Sequence, residues 1–193
     1  MKLGLISAIL GDLNFEEMID FLAECGLECV EVACWPKGKA ERRYAGVSHI
    51  DVDTLDDEKC AHILDYCQKK GVEISSLAYY PNTMEPDVEK RTAYIEHLHK
   101  LIDASAKLGV KMITTFIGRD PKKTVSQNLE LVKEIWPPIL DHAKEKGVKV
   151  AIENCPMLFT EDEWPGGQNL MTTPAIWRQV FAILDYDTFG INY

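Results

Sequence analysis

The sequence predicts an α/β fold built on parallel strands, and three observations lead to that prediction. The chain has 193 residues, of which 46% are hydrophobic and 27% charged, so it can bury one sizeable core. Helical patterns end four times at a glycine that an apolar, strand-like run follows directly. Successive strand-like runs lie roughly 40 residues apart, which is the length of a βα unit with a functional loop.

The predicted strands begin just after the helix ends. Glycine past the last helical turn adopts the left-handed conformation that closes a helix, and the four positions with this pattern are Gly26, Gly71, Gly109 and Gly147. Strands are therefore predicted to begin near residues 3, 29, 74, 112, 149 and 188. They are continuous apolar runs, as expected of strands covered on both faces.

Capping signals predict where the first two helices begin. Asn14 and Glu17 form a capping-box pair before an apolar, helically spaced pattern. Thr54 with Asp57 offers a weaker cap for the second helix.

Later helices are predicted over residues 88–108, about 126–146, and from Thr173-Pro174 onward. Threonine suits the cap and proline the first turn of that last helix. Pro137-Pro138 lies inside the fourth helix, and interior prolines remove donors, so we expect a kink or a restart there.

Strands that alternate with helices through right-handed crossovers form a parallel sheet. No Gly-x-Gly-x-x-Gly follows the first strand, which disfavours a dinucleotide-binding fold. We therefore predict a (β/α)8 TIM-barrel type, truncated after five βα units and a sixth strand, with residues 1–193 as a single partial barrel domain. Since open strand edges are a liability, we expect a homo-oligomer that covers them; a complete six-stranded open sheet is the alternative.

Charge and composition limit the classes of partner. The formal net charge is −10, which repels phosphate backbones, so we expect no nucleic-acid partner. No apolar run reaches the roughly 20 residues of a membrane helix, and no signal peptide is recognisable. The six cysteines do not form a dense disulfide framework and suit reduced thiols. We expect a cytoplasmic protein with no membrane partner.

Ligands of parallel barrels bind at the carboxyl ends of the strands. That rule selects Ser7, Ala8, Ala33, Cys34, Trp35, Tyr79, Tyr80, Pro81, Phe116, Gly118, Arg119, Glu153, Asn154 and Cys155. Glu153 follows an apolar strand without a polar break, so its carboxylate must be paired, solvated or bound to a cation. It is either a metal ligand or general base, or one half of a structural ion pair. Asn154 either binds a substrate hydroxyl or caps a loop.

The long loop after the second strand combines aromatic, cationic and imidazole groups: Trp35, Arg43 and His49. Aromatic faces and arginine suit a sugar or sugar-phosphate ligand. The alternative is an ordered surface loop whose arginines and aspartates pair with one another. A second long loop, from Pro156 to Thr173, is predicted either to fold over the site as a lid or to be disordered or simply packed.

Several stretches together resemble the sugar phosphate isomerase/epimerase family, whose members have a xylose-isomerase-like barrel and are related to endonuclease IV. They are residues 32–36, 43–46, 115–120, 152–157 and 164–167. The endonuclease relatives carry histidines at the ends of strands three and four, and neither strand here ends with one. The resemblance therefore favours the isomerases and epimerases.

The resemblance implies a divalent metal (Mn, Mg, Co or Zn) held by two glutamates, an aspartate and a histidine. Glu153 matches the first glutamate. Similar proteins continue beyond the Phe-Gly-Ile-Asn-Tyr strand with Asp-Pro-x-His, whereas this sequence ends at Tyr193. One carboxylate does not make a tight site for a hard divalent cation, so metal binding by this chain is left open.

The resemblance implies an isomerase or epimerase of carbohydrate metabolism that acts on a small sugar or sugar phosphate. The reaction would be metal-assisted proton transfer beside a carbonyl, with Glu153 exchanging the proton. The residues expected to contact the substrate are Trp35, Arg43, His49 and Asn154. Because most expected metal ligands are absent, we expect impaired activity in this chain. The alternative is a non-catalytic sugar-binding or assembly domain completed by a second chain.

Overall fold

The computed structural model describes residues 1–38, 45–156 and 167–193. Its strands are β1 (Gly4–Ile6), β2 (Cys29–Ala33), β3 (Glu73–Ala78), β4 (Met112–Thr115), β5 (Lys149–Glu153) and β6 (Phe189–Asn192). Its α-helices are α1 (Phe15–Glu24), α2 (Asp57–Lys70), α3 (Val88–Leu108), α4 (Val125–Lys146) and α5 (Pro174–Ile183). A short 3-10 helix, Ser7–Leu10, follows β1.

The six strands form one parallel sheet in the order β1-β2-β3-β4-β5-β6. Neighbours in the sheet are therefore neighbours in the chain, as successive right-handed βα units require. In the register of the outer pairs, Leu5 lies beside Val30 and Ile152 beside Ile191. The predicted strand starts are confirmed to within one residue.

Helix ends follow the predicted signals. Gly26, Gly71, Gly109 and Gly147 have φ angles of +70°, +71°, +71° and +67°. The predicted capping box of α1 is confirmed, with Asn14 Oδ1 accepting from Glu17 N–H and Glu17 Oε2 accepting from Asn14 N–H, both at 2.9 Å. The cap predicted for the start of α5 is also confirmed, since the Thr173 side chain accepts from Ile176 N–H and Pro174 is the first helical residue.

The structure corrects the predicted start of α2. Asp56, not Thr54, caps this helix, and its Oδ1 accepts from Lys59 N–H at 2.8 Å. The Thr54 carbonyl accepts from Lys59 Nζ instead. Asp56 directly precedes the first helical residue. Its carboxylate can therefore accept from the N–H of the third helical residue, Lys59, as side chains at this capping position do.

Of the kink or restart predicted for α4 at its prolines, the restart is wrong and the kink stays a prediction. The helix continues as one element through Pro137 and Pro138. The flanking Trp136, Ile139 and Leu140 are fully buried, and this burial favours a continuous helix over the local cost of the missing donors.

The described residues divide into two compact units, Met1–Tyr79 with Lys100–Ile113 and Tyr80–His99 with Thr114–Tyr193. The core of the first unit includes the fully buried Met18, Ile19 and Leu22 of α1 with Val30 and Val32 of β2. The prediction that residues 1–193 form a single domain stays a prediction.

In the second unit, the buried Trp136 organises the core. Its indole Nε1–H donates to the Ile117 carbonyl at 3.0 Å, and its ring lies 6.1 Å from that of Phe189. Phe181 approaches Phe189 at 5.4 Å between ring centroids. These contacts join α4, α5 and β6 around the segment that follows β4, so the end of β4 rests on a packed apolar base.

The six cysteines, all within the described ranges, are present as thiols. Among the described residues no helix is both long and apolar enough to cross a bilayer.

Candidate functional site

In the first unit, the loop after β2 returns to the end of its own strand. Cys34 pairs with Ser48 in an isolated antiparallel bridge, and Trp35 N–H donates to the Val47 carbonyl at 3.2 Å. The half-buried Trp35 ring meets Tyr79 edge to face, with 5.9 Å between centroids and an interplanar angle of 88°. Trp35 therefore lies at the carboxyl edge of the sheet in a position fixed by backbone and aromatic contacts.

His49 connects this loop to the end of β1. Its Nδ1 lies 3.0 Å from Ser7 Oγ, and its Nε2 lies 3.3 Å from the Leu10 carbonyl. Because the Leu10 carbonyl can only accept, Nε2 carries the hydrogen and Nδ1 accepts from the Ser7 hydroxyl, whose Oγ also accepts the Ala33 N–H at 2.8 Å. This pattern fits the neutral imidazole with hydrogen on Nε2.

Burial lowers the pKa of His49, although the Leu10 carbonyl acts in the opposite direction. Both ring nitrogens have partners within the chain, so in this geometry His49 is a positioning residue for the loop. That it contacts substrate stays a prediction.

Arg43 lies outside the described residues, as does most of the predicted lid, since residues 39–44 and 157–166 are not described. On the described part of the first loop, Lys37 pairs with Asp51 at 2.9 Å. The Lys37 ammonium lowers the pKa of the Asp51 carboxyl. This pair is made by a lysine, so the alternative expectation that arginines and aspartates of this loop pair with one another stays a prediction.

In the second unit, Glu153 is the last residue of β5 and is half-buried. Val150 and Ile152 are buried on one face of the strand, whereas Glu153 shares the opposite face with Ala151. Asn154, which follows, is half-buried as well. Glu153 therefore has the strand-end position that the sequence predicts.

Asn169 holds the end of β5 in place. It is fully buried, and its Nδ2 donates to the Glu153 carbonyl at 2.8 Å and to the Cys155 carbonyl at 2.7 Å. Asn169 Oδ1 is also buried and has no hydrogen-bond partner within the described ranges. Sequence analysis missed Asn169 because it lies 16 residues from Glu153, in a loop without a recognisable motif.

A second asparagine clamps the end of β4. Asn82 Oδ1 accepts from Arg119 N–H at 2.9 Å, and Asn82 Nδ2 donates to the Arg119 carbonyl at 2.9 Å. The adjacent Gly118 has a φ of +81°. The nearest atoms to a Cβ at position 118 would be Asn82 Oδ1 at 2.6 Å and the Met84 nitrogen at 2.8 Å. Only glycine allows this close approach.

Asp120 belongs to a network of its own. It is 3% exposed, and its Oδ2 accepts from Lys123 Nζ at 2.7 Å while its Oδ1 accepts from Lys122 N–H at 3.0 Å. Burial opposes ionisation, but these hydrogen bonds lower the pKa of Asp120 below its ordinary value. Asn128 fixes the Asp120 backbone by accepting its N–H at 2.8 Å and donating to its carbonyl at 3.0 Å.

The described residues do not make up a metal site by themselves. No group of three or more histidine, cysteine, aspartate or glutamate side chains among them could hold a metal ion. Glu153 supplies one carboxylate, whereas hard divalent cations require several oxygen or imidazole ligands. The implied metal therefore does not fit the described side chains.

Six parallel strands that follow the chain order and alternate with helices are typical of an α/β barrel-type protein. The model of the xylose isomerase-like TIM barrel family matches residues 19–193. The chain belongs to this family, which confirms the resemblance and the fold class predicted from the sequence.

A curated relative is the uncharacterized protein YfiH of Bacillus subtilis, which is 24% identical over 145 residues. That alignment covers 72% of this chain and 44% of the relative.

Solved structures share the fold. The probable 3-DHS dehydratase AsbF of Bacillus anthracis is 19% identical with a TM-score of 0.69, covering 100% of this chain and 62% of its own. IolI with a bound zinc atom is 17% identical with a TM-score of 0.68, covering 99% and 62%. A D-psicose 3-epimerase crystallised with D-fructose is 16% identical with a TM-score of 0.67, also covering 99% and 62%. The chain thus spans less than half of the curated relative and about three fifths of these structures.

Proposed function

We propose that this protein is a sugar or sugar-phosphate isomerase or epimerase that transfers a proton at the carbon beside a carbonyl group. The observation that carries the proposal is Glu153, a half-buried carboxylate at the carboxyl end of β5 in a chain of the xylose isomerase-like family. A D-psicose 3-epimerase among the similar structures supports the choice of a sugar substrate.

Glu153 is suited to act as a general base. Its position at the end of a strand is fixed by Asn169, which binds the Glu153 carbonyl. General base catalysis requires the base to lie within hydrogen-bond reach of the proton that it removes, and ligands of parallel barrels bind at the strand ends, where Glu153 lies. Glu153 would remove the proton beside the carbonyl. An isomerisation would return a proton to the neighbouring carbon, whereas an epimerisation would need a second acid to protonate the same carbon from the opposite face.

The proposed substrate contacts differ in chemistry. In the first unit, the Trp35 ring offers an apolar face against which sugar C–H groups can pack, and Arg43 would offer guanidinium donors. His49 would bind a hydroxyl only by exchanging its contact with Ser7 or with the Leu10 carbonyl. In the second unit, the Asn154 amide offers a hydrogen-bond donor and acceptor for a hydroxyl. Aromatic surface combined with a few polar groups is typical of small-molecule sites.

No step of this proposal passes through a metal. The resemblance implies Mn, Mg, Co or Zn, but the described side chains supply one strand-end carboxylate and no group of three ligands. An enediolate without a cation nearby is poorly stabilised. We therefore propose that the 193-residue chain alone has impaired activity. We also propose that the protein is cytoplasmic. A second copy of the chain is proposed to cover the open edges of the sheet.

The test compares Glu153→Gln with Glu145→Gln in the intact natural protein that contains this chain. Glu145 is an exposed residue of α4, so it controls for loss of one carboxylate. Interconversion of D-fructose, D-fructose 6-phosphate and their epimers is followed by NMR with added Mn²⁺. General base catalysis contributes about 10²–10⁴-fold, so Glu153→Gln should lose at least 100-fold and Glu145→Gln less than twofold.

Retention of activity by Glu153→Gln would contradict the proposal. A non-catalytic sugar-binding or assembly domain is the alternative. It would show sugar binding without interconversion in the wild type, together with a defined dimer in light scattering.

A further inference from the structure

Arg119 carries a guanidinium at the carboxyl edge of β4, and the proposed reaction does not use it. The residue is half-buried. Its Nε is buried and has no hydrogen-bond partner in the part of the chain that the structure describes. A buried donor of a charged group lowers stability unless an acceptor reaches it. The site therefore favours a ligand that brings an acceptor.

The neighbouring carboxylate does not fill that role. Asp120 is engaged by Lys123 Nζ at 2.7 Å and by Lys122 N–H at 3.0 Å. Its backbone is fixed by Asn128, which holds the carboxylate in this separate network. The Asp120 carboxylate therefore bonds with Lys122 and Lys123 and not with Arg119 Nε.

The backbone that carries Arg119 is rigidly placed. Asn82 binds both the N–H and the carbonyl of Arg119, and the left-handed Gly118 packs directly against the Asn82 side chain. A fixed backbone reduces the entropy that a binding side chain loses when its ligand arrives. This is the arrangement expected of a preorganised binding residue.

A second buried polar atom without a partner belongs to the same end of the sheet. Gly118 O accepts from Leu170 N–H at 3.0 Å. Arg119 follows Gly118 and Asn169 precedes Leu170 in the chain, so Arg119 and Asn169 flank this hydrogen bond. Asn169 is fully buried, and its Oδ1 has no hydrogen-bond partner among the described residues. A neutral acceptor suits a sugar hydroxyl, whereas a guanidinium suits a phosphate or carboxylate.

We propose that Arg119 binds the anionic group of the substrate, so that this protein prefers sugars carrying a phosphate or a carboxylate over neutral sugars. Asn169 Oδ1 accepts a hydroxyl of the same ligand. The inference rests on the proposed function and specifies its substrate class.

The test measures binding to the intact natural protein by calorimetry with three probes: D-fructose 6-phosphate, D-glucuronate and D-fructose. At least one anionic probe should bind tenfold or more tightly than D-fructose, and which one does so distinguishes phosphate from carboxylate recognition. Arg119→Gln should remove that preference. Arg119→Lys should retain part of it, since lysine keeps the charge but not the planar fork.

Arg178→Gln is the matched control, because Arg178 is an exposed arginine of α5; it should keep the preference. The melting temperature without ligand separates binding from structure. Arg119→Gln should melt at or above the wild-type temperature, since it removes a buried donor that lacks a partner.

Three results would overturn the inference: equal wild-type affinities for all three probes, an anion preference that survives in Arg119→Gln, or a clear fall in the melting temperature of that variant without ligand. Glu153-dependent interconversion of neutral sugars alone would overturn the anion preference and leave the proposed reaction standing.

Discussion

Replacing Gly118 with alanine should lower the free energy of unfolding more than the same change at a left-handed glycine without close neighbours. Gly118 has a φ of +81°, which costs an L-residue about 1–2 kcal/mol. A Cβ there would also lie 2.6 Å from Asn82 Oδ1, 2.8 Å from the Met84 nitrogen and 2.9 Å from the Thr83 nitrogen. Overpacking of this kind costs about 1–3 kcal/mol.

The Asn82 side chain cannot move aside without losing hydrogen bonds, because its Oδ1 accepts from Arg119 N–H at 2.9 Å and Met84 N–H at 3.2 Å. Gly147→Ala is the matched control, since Gly147 has a φ of +67° and nothing lies within 4 Å of its Cβ position. Both substitutions share the left-handed penalty and the lower entropy of the unfolded chain. Gly118→Ala should therefore cost about 1–3 kcal/mol more than Gly147→Ala.

Urea unfolding followed by tryptophan fluorescence measures this difference. For a chain of this size it corresponds to a further fall of roughly 2–12 °C in the melting temperature. Equal stabilities of the two variants would refute the argument that the Asn82–Gly118 contact is tightly packed. Unequal m-values would indicate a change in the unfolding transition itself and call for a second spectroscopic probe.

Two further predictions concern the first unit. Burial lowers the pKa of His49 below the unfolded value of about 6.5. The stability that the neutral imidazole contributes is therefore present above that pH and is lost as the pH falls through the folded pKa. The urea midpoint should fall between pH 7 and pH 5, and less so in His49→Gln; equal pH dependence in both proteins would contradict this. Asp56→Ala should lose about 1 kcal/mol of unfolding free energy through loss of the α2 cap, whereas Thr54→Ala should lose less; the reverse order in urea unfolding would favour the Thr54 cap.

The architecture was predictable because it follows from local signals. Glycines that close helices and apolar runs that follow them depend on neighbouring residues alone, so Gly71 and Gly147 marked their strands correctly. The cap of α2 and the restart of α4 were predicted wrongly for different reasons. Asp56 and Thr54 are both chemically suitable caps, and only the backbone geometry selects one. The burial of Trp136 is a tertiary effect that local proline rules do not include.

The candidate site was predictable only in part. The strand-end rule placed Glu153 correctly at the end of β5, because that rule needs only the strand boundary. The clamps formed by Asn82 and Asn169 join residues 37 and 16 positions apart. Asparagines in loops are common and carry no spacing signal, so these contacts emerge only when the loops after different strands meet. The two ring contacts of His49, at sequence separations of 42 and 39, were hidden for the same reason.

The most direct test of the central claim is the transfer of solvent deuterium during sugar interconversion. The intact natural protein is incubated in D₂O with the sugar or sugar phosphate that it converts fastest, and the recovered substrate and product are analysed by NMR. Proton transfer by Glu153 predicts deuterium at the carbon beside the carbonyl in the wild type, and none in Glu153→Gln over the same period. Equal deuteration by the two proteins, or interconversion by Glu153→Gln at the wild-type rate, would contradict the account.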